Sequence, residues 1–461
     1  MAHKIVFANF TRQCLFSTLQ SSTICSSQFL PEIKQKRTIV DKHLFKLPED
    51  YPEPWPYKEK PFPARLCCFD PGFARRHENS KLIIVEGNIG SGKSEFAREL
   101  ADALGFYHMP SFSMNEILID RYGNDMRKFH HLVLFFFKNF FKNNFLFKFP
   151  KRFRVPDEIM FYKDPASDQT AVMQNTIYQC RFDQYLNALA HILNTGQGVV
   201  LERSLYSDFV FVNAMREKDW ISPEFFKYYH FMRKLSLQQI PFYPHLMIYL
   251  DVPISKSLEK IKQRGDPYEI AAVDGQYLMT IKESYKDLIK ELKRHSYILT
   301  YDWTEPEYMD IVLDDIFKLK MDNVQWHSAG DVLATWTALA RSDTEHNRHR
   351  FFCTYKIPLF IKAFGDLDQL DTEVSELYIY PPDGMHFRRV MMHEVLKAFH
   401  TYGYIKGKDP IAGWKYSDVP LVVPEGWYEY WWKEHWYNSM HFSDTFLDPY
   451  GKYYDPDYLH H

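Results

Sequence analysis

The chain has 461 residues, 46% of them hydrophobic and 25% charged, with a net charge of −3: room for a full core and for more than one domain. The slightly acidic balance argues against general nucleic-acid binding, which requires clustered positive charge. No run is apolar for long enough to cross a bilayer, and the six cysteines show no zinc-like spacing and suit a reducing compartment.

The first 31 residues contain no Asp or Glu but carry Lys4 and Arg12 among many Ser and Thr, and Lys34-Gln35-Lys36-Arg37 follows. This is the composition of a mitochondrial transit peptide (residues 1–37); the alternative is a disordered tail. Removing it takes away five Lys/Arg and one Glu, so the mature chain is more acidic still. Residues 38–80 read as an extended arm, because Pro48, Pro52, Pro54, Pro56, Pro61 and Pro63 deny it helix and central strand.

An apolar strand, Lys81–Glu86, leads directly into Gly87-Asn88-Ile89-Gly90-Ser91-Gly92-Lys93-Ser94, a full match to the phosphate-loop pattern. The glycines let backbone N–H groups cradle phosphate oxygens. Lys93 supplies a mobile cation, Ser94 a hydroxyl for Mg²⁺, and the following helix (Phe96, Leu100, Leu104, ending at Gly105) aims its positive end at the site. Strand and helix signals alternate onward to residue 320: Phe106–Met109, a long helix over 170–194, Val199–Glu202, His245–Asp251, a helix over 274–294, and Tyr297–Tyr301. Such alternation predicts an α/β fold with a parallel sheet covered by helices on both faces. The Phe-, Lys- and Asn-rich run 131–148 stands apart and is assigned no function: a real insertion and a translated intron fit it equally.

Residues 321–461 form a C-terminal extension. Within it, 15 of residues 414–461 are aromatic, including five of the ten tryptophans. This tail either packs on its own core or forms buried contacts with other proteins.

Leu201-Glu202-Arg203-Ser204-Leu205-Tyr206-Ser207-Asp208 falls at the carboxyl end of a predicted strand, where open parallel sheets bind ligands. A carboxylate there can reach Mg²⁺ through water, and Arg203 can neutralise charge on a phosphoryl group. With this segment in place the chain resembles the deoxyribonucleoside kinase family. The resemblance rests on Glu86–Ser94, the helix Gln174…Arg181, Glu202–Asp208, the strand His245–Asp251 and the lid-like Lys262-Gln-Arg-Gly265, and covers roughly residues 81–305. It implies a P-loop kinase-like fold over 81–320, base contacts from Gln174, Arg181 and Asp208, and phosphate contacts from Arg203 and Arg264. Without the resemblance, Gln174 and Arg181 read as ordinary solvated helix positions.

The departures bear on activity. Active members place a glutamate before proline after the second strand, as the base that accepts the sugar hydroxyl proton; here the residues are Met109-Pro110. A thioether takes no proton, and general-base help is worth roughly 10²–10⁴-fold. Glu116 is the nearest downstream carboxylate. Active lids carry Arg-x-Arg, whereas this chain has Arg264-Gly265-Asp266, and Phe209 replaces the arginine that follows Ser-Asp. Nucleotide-holding parts remain while phosphoryl-moving parts are altered. That combination resembles the branch of kinase-like accessory subunits of mitochondrial complex I, which implies complex I subunits as partners and a peripheral place on the matrix side of the inner membrane. It further implies a non-catalytic role and a retained nucleotide (ATP or a deoxynucleotide, with Mg²⁺ at Ser94 and Glu202). FAD is associated with that branch, but Gly87-x-x-Gly90-x-Gly92 lacks the G-x-G-x-x-G dinucleotide spacing. An active mitochondrial deoxyribonucleoside kinase is the alternative.

Overall fold

A computed structural model describes residues 39–47, 49–58, 60–119, 156–240, 242–305, 308–321, 332–339, 343–364, 367 and 374–377. The expected transit segment, the 131–148 run and the aromatic tail 414–461 lie outside these residues.

Five parallel strands form one sheet in the order β2-β3-β1-β4-β5. They are β1 (Leu82–Gly87), β2 (Tyr107–Met109), β3 (Val199–Glu202), β4 (Leu246–Asp251) and β5 (Tyr297–Asp302). Every residue of β1 and β3 is buried, which is why both read as unbroken apolar runs and not as alternating ones. In register, Val85 pairs with Glu202 and with Ile248, and Met109 with Leu201, so the carboxyl ends of β1, β2 and β3 meet at one edge. The chain leaves β1 toward β2 and leaves β3 toward β4; ligands sit at such switch points in open α/β sheets.

After β1 comes α1 (Lys93–Leu104), whose Phe96, Ala97, Leu100, Ala101 and Leu104 are buried and which ends at Gly105. A single turn, α2 (Asn115–Leu118), follows β2, then α3 (Glu158–Lys163) and the long α4 (Gln169–Thr195). Beyond β3 lie α5 (Phe209–Glu217) and α6 (Pro223–Gln238); beyond β4, α7 (Ile254–Arg264), α8 (Pro267–Ala272) and α9 (Gly275–Leu292). The described chain finishes with α10 (Met309–Lys318), α11 (Ala334–Leu339), α12 (Asp343–Thr354) and α13 (Ile357–Phe364). Helix α9 packs on α5, α12 on α4 and α13 on α6. Because α12 and α13 cover it, α4 is buried along most of its length, with Tyr178, Phe182 and Tyr185 fully buried.

Among its described residues the arm has neither α-helix nor strand; it runs through turns, with short 3₁₀ pieces at Ala64–Leu66 and Gly72–Arg75. Its described residues dock on this chain's own helices. The Phe62 amide donates to Thr354 Oγ1 (2.9 Å), Asn347 Nδ2 to the carbonyls of Cys67 (3.1 Å) and Asp70 (2.7 Å), and Tyr51 OH to those of Arg75 and Thr195. Arg350, fully buried, ties the clasp: it pairs with Asp70, donates Nε to Asn194 Oδ1 (3.0 Å) and stacks 3.9 Å from the Phe62 ring centroid. Leu44, Leu47 and Phe69 remain exposed on the arm.

Candidate nucleotide site

The phosphate loop leaves β1 through two left-handed turns, Gly90 (φ 75°) and Gly92 (φ 80°). A Cβ at Gly90 would lie 2.9 Å from the Ser257 carbonyl, so both conformation and space demand glycine. Asn88 ties the loop to α9 through Nδ2 and the Leu278 carbonyl (3.0 Å), and the Ser91 hydroxyl packs beneath Gly87. Lys93 is buried, and its ammonium donates to the Asn88 carbonyl at 3.2 Å. Among the described residues no carboxylate pairs with it. Burial, joined by the nearby charge of Arg203 and opposed by Glu202 and Glu86, holds its pKa well below the usual lysine range. A buried cation in this state is suited to receive an anion.

Sequence reasoning placed Ser94 and Glu202 together, and the structure does so: Ser94 Oγ donates to Glu202 Oε2 at 2.7 Å. These are the oxygens a Mg²⁺ would use. The other carboxylate oxygen, Oε1, lies 2.8 Å from Nε2 of His108, a nitrogen donor that Mg²⁺ does not favour. His108 was missed from sequence; its one signal was a histidine next to the strand end where Met109 stands.

Arg203 sits at the strand end with φ 59°, a strained position for a side chain with a Cβ. Its Nη1 donates to Tyr285 OH (3.2 Å), and its guanidinium covers the Phe211 ring at 4.6 Å. Tyr285 in turn donates to Glu86 Oε2 (3.2 Å), while Ser204 donates to Oε1 (2.9 Å). Burial raises the Glu86 pKa, and Arg203 opposes it.

Gln174, Arg181 and Asp208 converge as the resemblance implies. Asp208, fully buried, accepts from Gln174 Nε2 (2.7 Å), from Arg181 Nη1 and from Tyr229 OH (2.6 Å). The reading of Gln174 and Arg181 as solvated positions is therefore corrected: α5 and α6 close over that face of α4 and bury both.

The base position carries half-buried Met109, packed against the core. Glu116 Oε1 accepts the Ser113 amide (3.1 Å) at the start of α2, and burial raises its pKa. At the lid, Asp266 is the N-cap of α8, accepting from the amides of Tyr268 (2.9 Å) and Glu269 (3.4 Å). Arg264 pairs with buried Glu269 at 2.8 Å, its own side chain half exposed. Lys260, one turn earlier on α7, was also missed: a Cβ on Gly92 would lie 3.1 Å from its Nζ, placing a further cation over the loop.

The family model for deoxynucleoside kinases matches residues 83–316. The chain is 34% identical over 259 residues to the mitochondrial NADH dehydrogenase (ubiquinone) 1 alpha subcomplex subunit 10 of Bos taurus, covering 55% of this chain and 68% of that protein. It is 30% identical over 238 residues to a deoxyguanosine kinase of Dictyostelium discoideum, covering 51% and 69%. A solved deoxyadenosine kinase from M. mycoides with bound dATP superposes with a TM-score of 0.36 and 17% identity over 51% of this chain and 98% of that one.

Proposed function

The chain belongs to the deoxynucleoside kinase family, and on that premise we propose that it is a non-catalytic accessory subunit of mitochondrial respiratory complex I. It supports assembly or stability from the matrix side of the inner membrane and keeps a mononucleotide, ATP or a deoxynucleotide, as a bound folding ligand. The observation that carries the reading is Met109 at the position of the catalytic base, with Glu116 engaged at its own helix start. The lid supports it as well, since Asp266 holds the helix that an arginine would have to leave uncapped. The likeness to subunit 10 of the bovine complex points the same way.

Migration of the tagged mature protein on native gels of mitochondrial extracts, with mass spectrometry of what travels alongside, tests this. Co-migration with NADH:ubiquinone oxidoreductase activity is expected; a free monomer alone overturns it. The second reading, an active mitochondrial deoxyribonucleoside kinase, is favoured by the intact loop and Glu202-Arg203-Ser204. Phosphorylation of a deoxynucleoside by the purified chain, abolished in Lys93→Ala, would establish that reading instead.

A further inference from the structure

The two edges of the sheet differ. On one side β2 has only three residues, and so short an edge offers little for another strand to pair with. On the other, β5 keeps an unbroken register with β4 over six pairs, from Leu246 with Tyr297 to Asp251 with Asp302. The Tyr297 amide donates to the His245 carbonyl (3.0 Å) and the Trp303 amide to that of Asp251 (2.8 Å), so the odd-numbered residues face β4. In a parallel ladder the alternate residues, Ile298, Thr300 and Asp302, then aim their N–H and C=O groups away from the sheet. Among the described residues these backbone groups make no hydrogen bond. Natural edges are guarded by lysine, proline or a bulge. Ile298-Leu299-Thr300-Tyr301 carries none of these, and Thr300 and Asp302 are exposed.

Charge runs along this edge in one direction. Lys293 and Arg294 are exposed just before β5, and exposed Lys320 lies there too, its carbonyl accepting from Tyr297 OH at 2.8 Å. At the other end Asp302 and Glu305 are exposed. The cations that act on Asp302 are engaged, Lys282 with Asp251 (2.7 Å) and Lys256 with the Thr304 carbonyl. An antiparallel strand of the same polarity sets each basic end against an acidic one, and a second β5 has that polarity. With a twofold axis at Thr300, Thr300 faces Thr300 of the copy and Ile298 faces Asp302 on either side. Three facing pairs that each exchange both bonds close about six main-chain hydrogen bonds.

We propose that free chains pair through the edge of β5, antiparallel about Thr300, so that two sheets become one across a twofold axis. Tyr308 (81% exposed) and Ile311 (49% exposed) add apolar surface beside the seam. Tyr301 OH donates to Asp315 Oδ2 (3.3 Å), and Ile311 and Tyr308 lie one and two turns before Asp315 on the same stripe of α10. The inference goes beyond the accessory-subunit reading and does not depend on it, since no residue of the nucleotide site takes part.

Sedimentation equilibrium of the purified full chain tests it, and reversible dimerisation is expected. Thr300→Pro removes an outward N–H without touching the ladder to β4. It deletes one hydrogen bond from each copy and should weaken association about tenfold or more. Glu305→Lys and Arg294→Glu should each associate more weakly than wild type, and their mixture should recover the wild-type constant, which a folding defect would not do. Hydrogen exchange on the wild type reads the edge without any variant: the Ile298 and Thr300 amides should exchange freely in dilute protein and gain protection as dimer forms. A monomer at every concentration, which leaves the edge to a different protein, overturns the inference. So does a dimer indifferent to Thr300→Pro, or amides already protected in the monomer by the chain's own segments. None of these results bears on the accessory role, which co-migration decides.

Discussion

Lys93→Met should separate the two roles of the phosphate loop. In the free protein the ammonium is buried with one carbonyl acceptor, Asn88 at 3.2 Å. A hydrogen bond to a charged group contributes about 1.5–3 kcal/mol, while desolvating an ion costs several kcal/mol. Around it the charges of Arg203 and Arg264 oppose those of Glu202 and Glu86, while burial is the largest influence. Methionine fills similar volume without charge. The stability of the nucleotide-free variant should thus lie within about 1 kcal/mol of wild type or above it, as expected when a poorly paired buried ion is replaced by an apolar side chain. The response to nucleotide should vanish, although at a hundredfold excess over Kd the wild type gains about 2.7 kcal/mol. A pH signature follows. Between the depressed folded pKa of Lys93 and its ordinary 10.5, the unfolded chain holds the extra proton, so wild-type stability rises with pH across that window. The variant should lack this rise. Thermal and urea unfolding with and without ADP, from pH 7 to 10, measure all three. A variant that is several kcal/mol less stable without nucleotide, or that keeps the full ADP shift, would refute the view that Lys93 awaits an anion.

Asp208→Asn leaves the Arg181 guanidinium buried without its counter-ion, and urea unfolding should show a loss of about 3–5 kcal/mol; a loss below 1 kcal/mol would mean that the cluster is not held by charge. Arg350→Met should cost about 3 kcal/mol by the same principle, moderated because Asp70 keeps Arg75 at 2.8 Å. It should also expose the arm to limited proteolysis near residues 50–63, and an arm as resistant as in wild type would contradict the clasp. Burial lowers the pKa of His191 from 6.5 to about 4 and that of His346 to about 3. Below 6.5 the unfolded chain gains protons that the folded chain refuses, so stability is full above 6.5 and declines toward 4, by about 1.4 kcal/mol per pH unit for each group. Urea midpoints at pH 7 and pH 5 should show the decline, and His191→Gln should flatten it in part.

The sheet was legible because each strand is a short apolar run bounded by turn residues, and the loop because its glycine, lysine and serine spacing is set by local backbone geometry. Asp266 was legible in principle: Asp-Pro-Tyr-Glu carries an N-cap followed by proline in the first turn. His108 could not be read, since its contact with Glu202 crosses from β2 to β3, and a three-residue strand has too few positions to declare which face each side chain takes. Burial of Gln174 and Arg181 was equally invisible without the resemblance, because the closing surface comes from α5 and α6. The arm's prolines announced extension, but its anchors, Asn347, Arg350 and Thr354, lie some 280 residues onward in sequence.

Retention of a phosphate loop is not by itself proof of a nucleotide. Much of this loop also holds the fold: Asn88 fastens it to α9, Gly90 lets α7 approach, and Glu86 joins Ser204 and Tyr285 beneath it. Those residues would stay even if nothing ever bound. Lys93 differs, because burying an ammonium against a single carbonyl weakens the free protein, and no packing need is met that methionine would not meet as well. Residues kept at a cost to stability point to a ligand; residues kept for packing do not. By that criterion the anion site rests on Lys93, and the glycines do not support it alone.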